Sequence, residues 1–433
     1  MKRIFLIAPL LLTAMNVDAD DRIWTYRECV DYALEHNLTL RGKQLERASS
    51  EANLEQSNAQ WLPSLSFSTS QGFVNYAHPD EGTDRNAYSG SYGLNAGWTL
   101  FNGFKRRNQI EADKLQVEIS QLGIDDYRFS LQTEILGKYI DILYAKESID
   151  IAEKSREVSA YQLERAKALV ASGKMSRVDC AQIESQYETD CYNLTAARAS
   201  HSSAIVALKN LLELGIDDSF DVAAIDVSTD IAELDIPTKT AVFADACTWM
   251  PSLKMYNLEQ QRSDYNIKVA RSGYYPTVSL NAGVNTANNT GAGNLGSQLI
   301  DRLNEQISLN VSVPIFDNKK NKTAVALAEI DKLNAELDYE NAVKTISQNI
   351  ENVHIDAVSA KAKYEAGVVQ LKSAELADEL VNEQFKIGLI NTLDLMNSHN
   401  TLLQARLSLL QAKYTAIFNF KMLQYYQTSQ ISL

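Results

Sequence analysis

Two hydrophobic patterns alternate along the chain, and the same order of patterns occurs twice. Over residues 24–37, Cys29, Val30, Ala33 and Leu34 recur at helical spacing, with Thr25 placed as an N-cap. A second helix is predicted over 38–61 and stops before Pro63, because the residue preceding a proline avoids helical angles. The period then changes to two. Tyr88, Tyr92, Leu94, Ala96, Trp98 and Leu100 fall on one face of an extended segment, and Ser89, Ser91, Gly93, Asn95, Gly97 and Thr99 on the other. Leu65, Phe67 and Phe73 mark a partner strand, so strands are expected at about 64–77 and 88–101. A proline-free helix follows over about 105–170. It breaks at Gly173, and a return helix starts behind Ser176, with Asp179 at its third position as in a capping box, and reaches about Leu212.

The second pass repeats the first. Helices are predicted over 242–249 and 252–274, the latter stopped by Pro276. Strands follow at about 277–287 and 305–316, with Val278, Leu280, Ala282 and Val284, then Ile307, Leu309, Val311, Val313 and Ile315, on the apolar side. A long helix over 320–386 breaks at Gly388, and a return helix begins behind Asn391, with Asp394 in the place of Asp179. Pro63 and Pro276 are 213 residues apart; Phe101 and Phe316, like Gly173 and Gly388, are 215 apart. Solenoid units span only roughly 20–50 residues, so this is a duplicated half-molecule. Residues 20–212 form the first repeat and 242–425 the second. An acidic linker with a short strand over 220–227 occupies 213–241, and 426–433 is a tail.

The long helices carry apolar stripes at a 3-4 spacing. One is Val343, Ile346, Ile350, Val353, Ala357, Ala360, Tyr364, Gly367, Leu371 and Ala374; Leu131, Ile135, Ile142, Ala145, Ile149 and Ala152 keep the same frame in the first repeat. A sustained period near 3.5 implies coiled-coil packing. The strands fit two settings, a soluble antiparallel sheet with one buried side or a membrane barrel wall with its apolar face outward. Each repeat supplies two strands. Four strands cannot close a barrel, and an open edge is not tolerated in lipid, so a membrane sheet would require several copies.

Composition narrows the choice. Lys2 and Arg3, the apolar run over 4–14 and the small-residue site Val17-Asp18-Ala19 form a secretory signal over 1–19, with an uncleaved anchor as the alternative. No Cys stands at the cleavage point, which argues against a lipidated N-terminus. Its removal would take the net charge from −14 to −15, since Lys2, Arg3 and Asp18 leave together. So acidic a surface repels phosphate backbones and makes nucleic acid a poor partner. Cys29, Cys180, Cys191 and Cys247 fit no metal motif and read as buried free thiols; Cys180 and Cys191 share a helix too far apart to bridge. His36, His78, His201, His354 and His399 have no ligand spacing, and no nucleophile motif occurs, so no catalytic residue, metal or cofactor is expected. The loop over 75–87 holds Pro79, Asp80, Glu81 and Gly82. The loop over 285–304 contains Gly291-Ala292-Gly293-Asn294-Leu295-Gly296, a dinucleotide fingerprint in letters. Its place between antiparallel strands, with no helix predicted after it, reads as a flexible surface loop.

The order of these parts, with the opening Trp24-Thr25-Tyr26-Arg27-Glu28-Cys29-Val30-Asp31-Tyr32-Ala33-Leu34-Glu35-His36-Asn37 and the two turns Gly173 to Asp179 and Gly388 to Asp394, resembles the TolC-like outer-membrane efflux family over about residues 22–425. The resemblance implies an α+β membrane protein: a homotrimer whose 12-stranded transmembrane β-barrel in outer-membrane lipid continues as a long α-helical coiled-coil barrel into the periplasm. It implies a non-enzymatic channel that takes substrates from a periplasmic adaptor (a membrane fusion protein) and an inner-membrane transporter, in a tripartite efflux or type I secretion system. It places a periplasmic gate at Asp394, Asn397, Phe385 and Ile390, and adaptor-docking tips at Gly173, Ser176, Asp179, Gly388 and Asn391. This chain departs from the family at the gate: Asn397 replaces a second acidic ring, Phe385 lacks a hydroxyl, and Ile390 cannot pair as a basic residue would. Helix capping is the other reading of Asp394, and the favoured one for Asp179. A soluble periplasmic coiled-coil scaffold and a secreted enzyme are the competing classes.

Overall fold

The computed structural model describes residues 23–78, 85–225, 231, 235–290 and 293–431. The expected signal over 1–19, the loop residues Pro79, Asp80, Glu81 and Gly82, and Gly291 and Ala292 lie outside them. The first repeat runs β1 (Ile23–Trp24), α1 (Tyr26–His36), α2 (Leu38–Ala59), β2 (Ser64–Asn75), β3 (Asn86–Asn102), α3 (Lys105–Ala171) and α4 (Arg177–Leu211). The connecting segment holds β4 (Asp221–Val222). The second repeat runs α5 (Lys239–Trp249), α6 (Pro251–Arg271), β5 (Thr277–Asn289), α7 (Leu295–Asp301), β6 (Asn304–Ser312), α8 (Lys320–Lys386) and α9 (Thr392–Thr428). The long helices α3 and α8 each have 67 residues, the equality expected of a duplicated half.

The chain forms two compact units, and each draws on both repeats. One contains residues 41–127 and 249–346 and holds the sheet. Its four strands are ordered β2-β3-β5-β6, antiparallel throughout. The register brings the apolar alternation of all strands onto one face. Phe67 lies opposite Leu94 and Leu94 opposite Val284; Ala96 opposes Ala282, which opposes Ile307; Trp98 opposes Leu280, which opposes Leu309. The other face is polar, as in the row Ser66, Asn95, Gly283 and Gln306. A one-residue slip would exchange the faces, so the side-chain pattern fixes the register. The apolar face is open in one chain: Phe67 is 67% and Ile307 80% exposed.

Two details differ from the sequence pattern. The ladder shifts between Thr99 and Phe101, so a bulge at Leu100 turns Phe101 to oppose Val278. The last strand, expected over 305–316, ends at Ser312; Val313 and Ile315 lie beyond it, around Pro314, which has no N–H for a ladder. Arg106, at the start of α3 and only 4% exposed, fastens this unit. Its guanidinium donates to the carbonyls of Gln60 (2.8 Å) and Thr99 (3.0 Å) and stacks 3.6 Å from the Trp61 ring centroid.

The loop over 285–304 also departs from expectation. A helix does open after its glycines: α7, capped by Asn294, whose Oδ1 accepts from Gly296 N–H. It packs beside β5 beyond Asn285, the last β5 residue that β6 pairs. Gln298 Oε1 accepts from Asn289 N–H (2.7 Å), and Thr286 Oγ1 donates to the Leu299 carbonyl (2.7 Å). It therefore satisfies part of a strand edge, and the strands on either side of it, β5 and β6, are antiparallel, unlike the parallel strands of a dinucleotide-binding unit.

The other unit contains residues 23–40, 128–248 and 347–431. Its core is the predicted stripe. Leu131, Ile135, Ile142, Ala145 and Ala152 are buried on α3, and Ile350, Ala357, Ala360 and Ala374 on α8, while Ile149 is half-buried. Thr25 and Glu28 form a reciprocal capping box at α1. β1 pairs in parallel with β4, and Tyr139 Oη donates to the carbonyls of Ala223 (2.7 Å) and Trp24 (3.2 Å) beside this pair. Of the thiols expected to be buried, only Cys29 is; Cys180 and Cys191 are half-buried on α4, and Cys247 is exposed on α5.

Candidate functional site

The two helix turns are built alike from their sequence. Gly173 and Gly388 take φ of 68° and 77°, in the left-handed region that glycine adopts at least cost. Each closes a helix C-terminus with two reversed bonds. Gly173 N–H donates to the Val170 carbonyl and Lys174 N–H to that of Leu169; Gly388 N–H donates to Phe385 and Leu389 N–H to Gln384. The return helices are then capped: Ser176 Oγ accepts from Asp179 N–H (3.1 Å), and Asn391 Oδ1 from Asp394 N–H (2.9 Å).

The two aspartates differ in what their carboxylates do. That of Asp179 accepts from Ser176 Oγ (2.7 Å) and from Thr392 Oγ1 (3.2 Å), so it fastens the first turn to the start of α9. That of Asp394 is exposed, with the exposed Asn397 one turn along the same face. Phe385 packs against the cluster of Leu163, Ala166 and Ile183. Ile390 is half-buried in the second turn.

Two features of the turns were not read from the sequence. Val178 on the first, and Ile387, Leu389 and Leu393 on the second, are exposed apolar side chains. Ile387 and Leu389 lie in the irregular second turn, and Val178 and Leu393 in the first turns of α4 and α9, outside any apolar stripe that could have flagged them. The second feature is a set of polar links between the α3–α4 and α8–α9 hairpins. Gln162 Nε2 donates to Asn382 Oδ1 (3.2 Å), and Arg165 Nη2 to the Lys386 carbonyl (3.3 Å). Gln186 and Asn400 exchange amide bonds (both 3.2 Å), and His399 Nε2 meets Ser155 Oγ (2.8 Å) and Asp190 Oδ2 (3.2 Å). Burial alone would raise the Asp190 carboxyl, but hydrogen bonds from His399, Ser159 and Gln186 outweigh it and hold the group below the ordinary carboxylate range.

Among the described residues, no three His, Cys, Asp or Glu side chains gather as a metal site, and no helix is long and apolar enough to cross a membrane. The second fact bears on helices and says nothing of the sheet.

The family model for outer membrane efflux proteins matches residues 29–213 and 245–423, one segment in each repeat. The chain belongs to the outer membrane efflux protein family. Among curated relatives of this efflux protein are the outer membrane protein TolC of Escherichia coli K12, 24% identical over 88% of this chain and 78% of the relative, and the outer membrane efflux protein BepC of Brucella suis, 22% identical over 76% and 70%. Among solved structures, a CusC channel superposes with a TM-score of 0.78 at 18% identity, covering 92% of this chain and 91% of CusC. The Campylobacter jejuni CmeC outer membrane channel gives 0.78 at 19% identity, covering 93% and 86%. The efflux protein therefore shares the fold of outer-membrane channels, and its family is one of channels rather than enzymes. It resides in the outer membrane and extends into the periplasm.

Proposed function

We propose that this efflux protein is the outer-membrane duct of a tripartite efflux or type I secretion system and works as a homotrimer with a 12-stranded barrel. The observation that carries the reading is the open sheet. Among the described residues, strands β2 and β6 each have one neighbour, and the sheet has one continuous apolar face. In lipid an open edge leaves backbone groups unpaired, at several kcal/mol each. Pairing β6 of one copy with β2 of the next continues the antiparallel alternation, and three copies close the ring. The apolar face then meets outer-membrane lipid, and the polar face of Ser, Asn and Gly lines the lumen.

The turns take two roles in this reading. Asp394 and Asn397 line the periplasmic mouth, one carboxylate per copy. Gly173, Ser176, Asp179, Gly388 and Asn391 shape the tips that meet a periplasmic adaptor, through which an inner-membrane transporter delivers substrate. The exposed Val178, Ile387, Leu389 and Leu393 supply the apolar contact such a partner needs. Phe385 serves as packing and Ile390 as a half-buried turn residue, so neither supplies a polar tie at the gate.

The test is a planar-bilayer recording on detergent-extracted protein. Discrete, long-lived conductance steps are expected. Recovery of the protein in the aqueous fraction without detergent, with no conductance, would favour a periplasmic coiled-coil scaffold instead. Leu389→Asp tests the tips: loss of adaptor capture at unchanged surface expression is expected, and unchanged capture would move the docking surface elsewhere.

A further inference from the structure

We propose that the junction where the strands give way to the long helices is a binding surface for anionic phospholipid headgroups of the periplasmic leaflet. The chain carries a net charge of −14, yet segments 98–110, 266–276 and 313–323 hold eight Lys or Arg and one carboxylate, Asp317. The fold gathers these segments at one end of the sheet. The last ladder pairs there are Asn102 with Thr277 and Thr277 with Ser312. Gly103 closes on the end of α6 so tightly that a Cβ on it would lie 2.6 Å from the Ser272 carbonyl oxygen. Asn321 Nδ2 donates to the Gly273 carbonyl (2.6 Å), which brings the start of α8 to the same place. All these residues belong to the unit that holds the sheet.

The two repeats build the junction alike. Gly103 and Phe104 take φ of 64° and 65°, and Asn318 and Lys319 take 52° and 66°, so the chain turns sharply into each long helix. Lys105 and Arg107 follow in the first turn of α3, and Lys320 and Lys322, 215 residues on, in the first turn of α8. The helix dipole disfavours cations at these positions, and neither turn holds an acidic residue to offset them. Nearby carboxylates are engaged elsewhere. Asp317 Oδ2 accepts from Asn321 N–H (2.8 Å), Glu329 pairs with Arg271 (2.9 Å) and Glu111 with Lys114 (2.8 Å). Lys105, Arg107, Lys319, Lys320 and Lys322 are exposed and have no ion-pair partner among the described residues.

The neighbours of this patch indicate what covers it. It continues the apolar sheet face, and the exposed aromatic side chains of Trp61, Trp98, Phe104, Tyr274, Tyr275 and Phe316 stand at the step between the two. Such rings gather at headgroup level in membranes. The protein extends from the outer membrane into the periplasm, and α3 and α8 leave the sheet at this end, so it is the periplasmic one. The far end carries no such excess: among the described residues there, Arg85 and Arg302 are balanced by Asp301 and Glu305. Cations just beyond an aromatic belt reach lipid phosphates, and each Lys or Arg near an anionic membrane strengthens binding about fivefold. This inference rests on the barrel reading of the sheet.

The experiment is native mass spectrometry of the full-length assembly in mild detergent, titrated with phosphatidylglycerol or with phosphatidylcholine of the same acyl chains. The parent is expected to bind phosphatidylglycerol about tenfold more tightly or better, with a preference that shrinks as salt rises. Lys105→Gln, Arg107→Gln, Lys320→Gln and Lys322→Gln combined should weaken phosphatidylglycerol binding by about tenfold or more and change phosphatidylcholine binding by less than about twofold. Gln at Lys154, Lys344, Lys363 and Lys372, exposed cations farther along α3 and α8, should keep the parental preference. Equal binding of the two lipids by the parent overturns the inference without any variant. So does an unchanged preference in the first combination, or an equal loss in the second, which would make the preference a matter of net charge. Displacement of phosphatidylglycerol by equimolar inorganic phosphate also overturns it, because the patch would then take free anions rather than lipid. Conductance of the same preparation reads the barrel separately. Steps without a lipid preference leave the barrel standing, and their absence removes the barrel and this inference with it.

Discussion

Replacing Asp394 with alanine is expected to change ion selectivity and leave stability nearly untouched, while replacing Asn391 with alanine should do the reverse. The turn geometry separates the two. The bond that starts α9 runs from Asp394 N–H to Asn391 Oδ1 at 2.9 Å, and an alanine at 394 keeps that N–H. The Asp394 side chain is exposed and contributes to the helix as a negative charge in its first turn, about 0.3–1 kcal/mol. Asn391→Ala removes the cap itself, at about 0.5–2 kcal/mol per chain. The loss falls beside Thr392 and Leu395, 3% and 0% exposed. The electrostatic side can be bounded too. A monovalent cation about 8 Å from a carboxylate in water is attracted by about 0.5 kcal/mol, so three copies give about 1.5 kcal/mol. Physiological salt leaves under half of that, a factor of about three for a monovalent ion and roughly thirty for a trivalent one. Reversal potentials in a KCl gradient, with a trivalent cation added on the periplasmic side, read the charge; thermal melting reads the cap. If Asp394→Ala keeps parental selectivity and block but melts early, Asp394 is a helix cap and no ring of charge exists.

Arg106→Ala should cost about 3–5 kcal/mol, from two carbonyls left without donors at roughly 1–3 kcal/mol each and a lost ring contact; Arg106→Lys should recover less than half, as read from the temperature at which the oligomer dissociates. Burial foremost, with the Glu28 charge, pushes the Cys29 thiol up to about 12, so Cys29 should resist maleimide until the protein is denatured, while the exposed Cys247 labels first in the isolated chain; mass spectrometry of the four peptides checks the order. Asp221 is partly buried, which raises its carboxyl, but bonds from Lys146 (2.7 Å) and Val222 N–H hold it below the ordinary range. Its contribution is present above the ordinary carboxylate pKa and lost as pH falls through the lowered value. Asp221→Asn should therefore flatten the acid limb of a melting-temperature profile and leave the profile above pH 6 parallel to the parent's.

The strands and long helices were legible because each repeats one period over many residues. The face split from Tyr88 to Trp98 survives into the register, and the stripe from Ile346 to Ala374 is the buried one. The duplication helped, since Gly173 and Gly388 identify each other as turns. What was missed lacks a period. Ile23 and Trp24 are too few to show alternation, and they become a strand only because Asp221 and Val222 arrive beside them. The bulge at Leu100 leaves the local pattern intact and shows only in the partner's register. His399 and Asp190 are 209 residues apart, each unremarkable on its own helix, and only the packing of α9 against α4 makes them a pair. The helix α7 was hidden by its glycines: its N-cap Asn294 stands between Gly293 and Gly296, which mark a loop by composition.

The most direct test of the account is the native mass of the protein extracted in mild detergent, measured together with its sheet content. Three chains per particle, with the sheet intact and both strand edges protected from hydrogen exchange, is the predicted result. A monomer with full sheet content and freely exchanging amides along β2 and β6 would contradict the closed barrel and the channel built on it.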